Sequence, residues 1–167
     1  GIYNSTSGVN NLNRFLQAQN ITKDLNPTYG SIQKLFQRRI SLVAFCEDRV
    51  ISITSNKDSL FNADGNPQLI SSTNVLGDAT PFVGDYGISK NPESFAKESY
   101  RAYFTDKQRG AVLRLSMDGL TPISEAGMTD YFRDKLKISG NLIGSYDNYN
   151  KYYNLTLKPE TSSVNLI

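Results

Sequence analysis

The chain has 167 residues, and its 18 basic and 16 acidic side chains leave a net charge of +2. With 38% hydrophobic and 20% charged residues it has the composition of one globular domain, which argues against a disordered chain and gives no electrostatic reason to expect a nucleic-acid binder. Histidine is absent and Cys46 is the lone cysteine, which excludes a Ser-His or Cys-His nucleophile pair, a zinc site of the usual Cys/His kind and an internal disulfide.

No stretch of 18 apolar residues occurs, so no transmembrane helix is expected. The start, Gly1-Ile2-Tyr3-Asn4-Ser5, has neither an initiator Met nor a signal-peptide pattern, so the chain is expected to be a processed piece or a segment of a longer protein. Asn, Ser and Thr make up about a quarter of the residues, which favours turns and polar sheet faces over long helices. Residues 1–40 read as a polar, turn-rich N-terminal segment. Leu12, Phe15 and Leu16 fall at i, i+3, i+4 and fit a short helix over Leu12–Gln19, which Pro27-Thr28-Tyr29-Gly30 would end.

Residues 41–167 read as mainly β. Leu42–Cys46 and Val50–Ile53 form a strand pair around the polar turn Glu47-Asp48-Arg49. A Gly-, Asn-, Asp- and Pro-rich loop insertion is expected over about 57–91. The pattern returns as Arg101–Thr105, the turn Asp106–Gly110 and Ala111–Ser116. Asp118-Gly119 then signals a hairpin into a strand over Leu120–Ser124. Met128, Tyr131, Phe132 and Leu136, bounded by Gly127 and Gly140, predict a helix packing its apolar stripe on the sheet. A third copy comprises Leu142–Tyr146, the turn Asp147–Asn150 and Lys151–Leu157.

These units look like degenerate repeats. Phe36 lies nine positions before Phe45, and Phe95 nine before Phe104. From Phe104 to Tyr146 is 42 residues, within the roughly 40–50 residue period of a propeller blade. From Phe45 to Phe104 is 59, which fits once the insertion is set aside. The expected architecture is therefore antiparallel hairpins of β-propeller-like blades with one or two short helices. Other all-β arrangements could produce the same hairpins.

Several segments carry a resemblance. They are Gly8–Asn13, Tyr29–Leu35, Glu47–Val50, Tyr86–Phe95 and Phe104–Leu120. Their wording resembles the large virion structural proteins of crAss-like bacteriophages, within that group most of all the tail nozzle or muzzle component, also labelled a stabilisation protein. The similarity runs over about residues 3–157. It implies an internal segment of a longer chain, located in the virion tail, with propeller-like modules around the genome exit path. The implied partners are other copies of the chain and other phage tail proteins, with DNA passing transiently and without specific binding. The resemblance implies no enzyme activity, so no catalytic, cofactor-binding or metal residue is carried over.

Other motifs have a bland and a functional reading each. Asn62–Pro67 alternates oxygen side chains as calcium loops do, but the twelfth position from Asn62 is Thr73, so an Asx-rich turn is the better reading. Asp106–Gly110 is either an inter-subunit ion-pair patch or a solvated hairpin tip. Lys34, Arg38 and Arg39 form a small basic run. Tyr146, Tyr149, Tyr152 and Tyr153 cluster around the third turn and suit strand packing, a subunit interface or glycan stacking. Asp78, Asp85, Asp106, Asp118 and Asp147 could supply the carboxyl pair of a glycosidase, about 5–9.5 Å apart, but each lies where a turn already accounts for it. A tail-borne carbohydrate-binding or glycan-processing module is thus the alternative function.

Overall fold

The computed structural model describes residues 2–4, 9–11, 22–38, 41–61 and 67–159, with side chains at 22–38, 41–54 and 76–159. The fold is mainly β with antiparallel sheets and, among the described residues, one α-helix. The strands are β1 (Ile2–Asn4), β2 (Val9–Asn11), β3 (Ile32–Gln37), β4 (Ser41–Cys46), β5 (Val50–Phe61), β6 (Pro67–Pro81), β7 (Ala96–Lys97), β8 (Ala102–Asp106), β9 (Ala111–Ser116), β10 (Gly119–Pro122), β11 (Ser139–Asp147) and β12 (Tyr152–Pro159). The helix α1 covers Thr129–Ile138, and short 3-10 turns occupy Pro27–Tyr29, Pro92–Ser94 and Ile123–Glu125.

Two sheets are four-stranded meanders in sequence order, β3-β4-β5-β6 and β7-β8-β9-β10, and two are hairpins, β1-β2 and β11-β12. The chain divides into two compact units. One holds Gly1–Asn26, Gln37–Val43 and Ser52–Thr80; the other holds Pro27–Phe36, Ala44–Ile51 and Pro81–Ile167. The second unit contains the aromatic cluster and the candidate site described below.

The expected helix over Leu12–Gln19 lies outside the described residues. Two other expectations change. The boundary at residue 40 falls inside a sheet, because β3 is the first strand of the meander continued by β4. The insertion at 57–91 is largely not loop: β5 and β6 extend as long hydrogen-bonded neighbours through most of it. Its Gly, Asn, Asp and Pro suggested a loop, yet a ladder satisfies the backbone groups of such a stretch equally well.

Packing follows the aromatic spacing. Phe45 and Phe104, both fully buried, meet edge to face at 5.0 Å between ring centroids. Phe95 packs on Phe45 at 5.3 Å and on Phe36 at 5.4 Å. The two nine-residue pairs seen in the sequence therefore build one aromatic cluster, a favoured edge-to-face geometry at the core. The β8–β9 register pairs Phe104 with Leu113 and Ala102 with Leu115, which puts these four buried side chains in the same sheet core. A second cluster forms where α1 lays Leu136 and Phe132 on Val112, Leu142, Leu155 and Leu157. This is the apolar stripe expected of the helix, although Met128 and Tyr131 from the same spacing stay about half exposed.

Candidate functional site

The turn Asp106–Gly110 is the polar centre of the second unit. Asp106 ends β8 with its side chain wholly excluded from solvent. One carboxylate oxygen accepts from the Ser89 hydroxyl at 3.0 Å and from the Arg109 backbone N–H at 3.1 Å. The other accepts from the Gly87 N–H at 3.1 Å and from the Arg109 guanidinium at 3.0 Å. Four donors on two oxygens satisfy a buried carboxylate, which would otherwise be costly to desolvate.

Arg109 also reaches Asp48 at 3.5 Å, so the turn of the second meander is tied to the Glu47-Asp48-Arg49 turn of the first. The Ser89 hydroxyl accepts the Gln108 N–H at 3.2 Å, and Ser89 itself sits at φ 53°, a left-handed conformation rare outside glycine. Backbone pairing completes the joint: Ile88 N–H donates to the Cys46 carbonyl and Ser89 N–H to the Glu47 carbonyl, both at 3.0 Å. A Cβ on Gly87 would stand 2.0 Å from the Glu47 carbonyl oxygen, so only glycine permits this approach. Thus Asp106 and Arg109 are partnered within the chain, and Asp106 belongs to neither a solvated tip nor an open ion-pair patch.

The other side chains of the first turn are also engaged. Glu47 accepts from the Ser31 hydroxyl and N–H, and these hydrogen bonds, helped by Lys90, hold its carboxyl below the usual range. Arg49 pairs with Asp85 at 2.9 Å. Burial, reinforced by Glu47, pushes the Cys46 thiol up, which makes it a poor nucleophile. Of the basic run, Lys34 places its ammonium 5.0 Å from the Phe95 ring centroid, a cation–π contact, and Arg39 lies outside the described residues. Residues 62–66 of the Asx-rich loop also lie outside them.

The tyrosine cluster divides in two. Tyr146 and Tyr153 are cross-strand partners on β11 and β12, and both stack on Tyr103 at 5.5 and 5.4 Å. The Tyr153 hydroxyl donates to the Ser94 carbonyl at 2.6 Å, and burial raises its ionisation far above the ordinary phenol. Gly144 lies against the same carbonyl; a Cβ there would come within 2.0 Å of the Ser94 oxygen. Tyr149 and Tyr152 instead project outward, 92% and 66% exposed. Tyr152 lines a groove of about 460 Å³ together with Phe132, Met128, Leu155, Lys151 and Asn154.

Of the five aspartates weighed as acid pairs, Asp106 is internal and Asp85 is engaged by Arg49. Asp147 accepts from the side chain and N–H of Asn150 and the N–H of Tyr149, which holds its carboxyl below the ordinary aspartate value. Asp118 sits with Met117 in the two-residue loop between β9 and β10. Gly87 and Ser89 carry the joint, and Ser94 seats Tyr153, without having stood out individually in the sequence. The signal for them was the Tyr86–Phe95 segment, whose unusual wording is accounted for by a glycine against a carbonyl and two buried serines. No protein-family model matches the chain, and no curated protein matches it either.

Proposed function

We propose that the chain is a non-enzymatic structural segment of a bacteriophage virion, most similar to the tail nozzle or muzzle of crAss-like phages. In this reading the two meanders β3–β6 and β7–β10 are propeller-like blades, and β11–β12 supplies part of a third. The work is mechanical: neighbouring modules and neighbouring copies bury one another's sheet faces and form a stiff wall around the genome exit path. One observation carries it. The resembled segments Tyr29–Leu35, Glu47–Val50, Tyr86–Phe95 and Phe104–Leu120 converge on a single joint: Ser31 holds the Glu47 carboxylate, the Glu47 carbonyl accepts the Ser89 N–H, Ser89 and Arg109 hold Asp106, and Arg109 reaches Asp48. Residues of those motifs thus tie the Glu47-Asp48-Arg49 turn to the Asp106–Gly110 turn, a stiffness that suits a load-resisting wall.

The test is immunogold labelling of purified virions of the phage that encodes the chain, with antibody raised against it. Gold at the distal tail is the expected result. Gold elsewhere on the particle would overturn the nozzle assignment, and unlabelled intact and disrupted particles would overturn the virion reading. A second reading, a tail-borne carbohydrate-binding module, is favoured by exposed Tyr149 and by Tyr152 at its groove, since outward aromatic faces suit sugar stacking. Glycan-array binding abolished by Tyr152→Ala would move that reading to the front.

A further inference from the structure

A second concavity, of about 500 Å³, opens on another side of the Asp106 joint. It is lined by Ser89, Lys90, Asn91, Lys107, Gln108, Lys137 and Gly140. The three lysines come from three places: the turn after Gly87, the β8–β9 turn and the last turn of α1. No carboxylate and no aromatic ring is among the lining side chains. The net charge of +2 therefore conceals one local concentration of positive charge.

The floor of this concavity is fixed. Ser89 is 3% exposed and is held by Asp106 and by the Gln108 N–H. Lys107 and Lys137 have no carboxylate within ion-pair distance among the described residues. Lys90 has one, Glu47, at 3.9 Å, with the lysine side chain 77% exposed. Such a pair is weak and readily exchanged. Asp106, the nearest acid in sequence, is occupied by Arg109, Gly87 and Ser89.

We infer that this lysine-lined concavity is a binding site for a phosphate group. An ammonium is a compact point charge with three donors, suited to the several oxygens and the near-double charge of a phosphoryl group. A carboxylate is planar and is best held by a guanidinium fork, and no arginine lines the site. The Asn91 and Gln108 amides supply neutral donors beside the lysines. Without an aromatic platform there is nothing to stack a base or a sugar, so the phosphate itself is what is recognised. The phosphate can be free or belong to a nucleic-acid backbone, and the inference stands independently of the tail reading.

The test is isothermal titration of the whole chain at low ionic strength with sodium tripolyphosphate, and with citrate as a carboxylate of similar charge. Saturable binding of tripolyphosphate is expected. Lys107→Gln and Lys137→Gln should each weaken it about tenfold, as loss of one charged hydrogen bond does. Lys158→Gln, on β12 outside the site, should leave it unchanged. Competition by a thymidine oligonucleotide assigns the phosphate to a nucleic-acid backbone; failure to compete assigns it to a free phosphoanion. Absence of saturable binding, citrate binding as tight as tripolyphosphate, or an equal loss in Lys158→Gln would overturn the site.

Discussion

Replacing Asp106 by asparagine tests the joint most directly. The side chain keeps its shape, but one of the two acceptor oxygens becomes an amide that only donates. Each oxygen now receives two donors, so either orientation of the amide turns two donors of the joint toward a third. A buried donor left unsatisfied costs about 1–3 kcal/mol. One of the four is the Arg109 guanidinium, whose side chain is 31% exposed and can turn to water or to Asp48. Discounting that one leaves a single unsatisfied backbone donor in the orientation that faces Gly87, and in the other the Ser89 hydroxyl can turn to accept, so the loss is about 2 kcal/mol, a sizeable part of the roughly 5–15 kcal/mol of a typical domain. The chain has ten tyrosines and no tryptophan, so urea unfolding is followed by tyrosine fluorescence and far-UV circular dichroism. With a slope of about 2 kcal/mol per molar urea, the midpoint should fall by about 1 M. Asp48→Asn removes only a partly exposed contact at 3.5 Å and should cost less than about 1 kcal/mol. If Asp106→Asn lies within about 0.5 kcal/mol of the parent, the buried carboxylate is not what holds the two turns together.

Gly87→Ala forces a Cβ to 2.0 Å from the Glu47 carbonyl and should abolish cooperative unfolding, whereas Gly119→Ala meets no atom within 4 Å and should cost only the strain of its φ of 107°, about 1–2 kcal/mol. Tyr153 is held neutral by burial, so the folded state retains a proton that the unfolded chain releases above about pH 10; stability should be constant below that pH and fall as it rises, and Tyr153→Phe should flatten the fall seen in alkaline urea titrations. Asp147 has the opposite sign: the support it gives the 148–151 loop is complete above the ordinary aspartate pKa and is lost as pH drops through its lowered value, which amide exchange at Tyr149 and Asn150 should report.

Elements with a strong period were legible in the sequence. The 3.6-residue spacing of Met128, Tyr131, Phe132 and Leu136 marked α1, and alternation with turn residues marked β4, β8, β9, β11 and β12. The nine-residue aromatic pairs were visible too, but not that all four rings meet, because contacts 50 or more residues apart leave no local trace. Strand β3 was missed since Ile32 to Gln37 mixes Gln and Lys into a half-exposed edge pattern. The burial of Asp106 was hidden for a different reason. Asp-Lys-Gln-Arg-Gly has the composition of a solvated tip, and only Gly87 and Ser89, nineteen and seventeen residues away, make it an interior group. The lysine concavity was equally invisible, since its three charges come from segments with no shared motif.

The hairpin β11–β12 depends on the meander β7–β10 and on α1. A two-stranded sheet is marginal by itself, and among the described residues these strands pair only with each other. Their hold on the rest is through side chains on one face. Tyr153, Leu155 and Leu157 are partly buried while Tyr152, Asn154 and Thr156 between them are exposed. That face is fixed by the Tyr103 stack, the Tyr153 bond to the Ser94 carbonyl and the close approach of Gly144 to the same residue. Ser94 is itself held by β8, donating to the Asn91 carbonyl and accepting the Thr105 N–H. The hairpin is thus anchored by side chains alone, on the Ser94 turn, Tyr103, Val112 and α1, whereas β8 and β9 share ladder bonds with strands on both sides. The hairpin should consequently open before the meander does, and whatever stabilises the Asn91–Ser94 turn stabilises both.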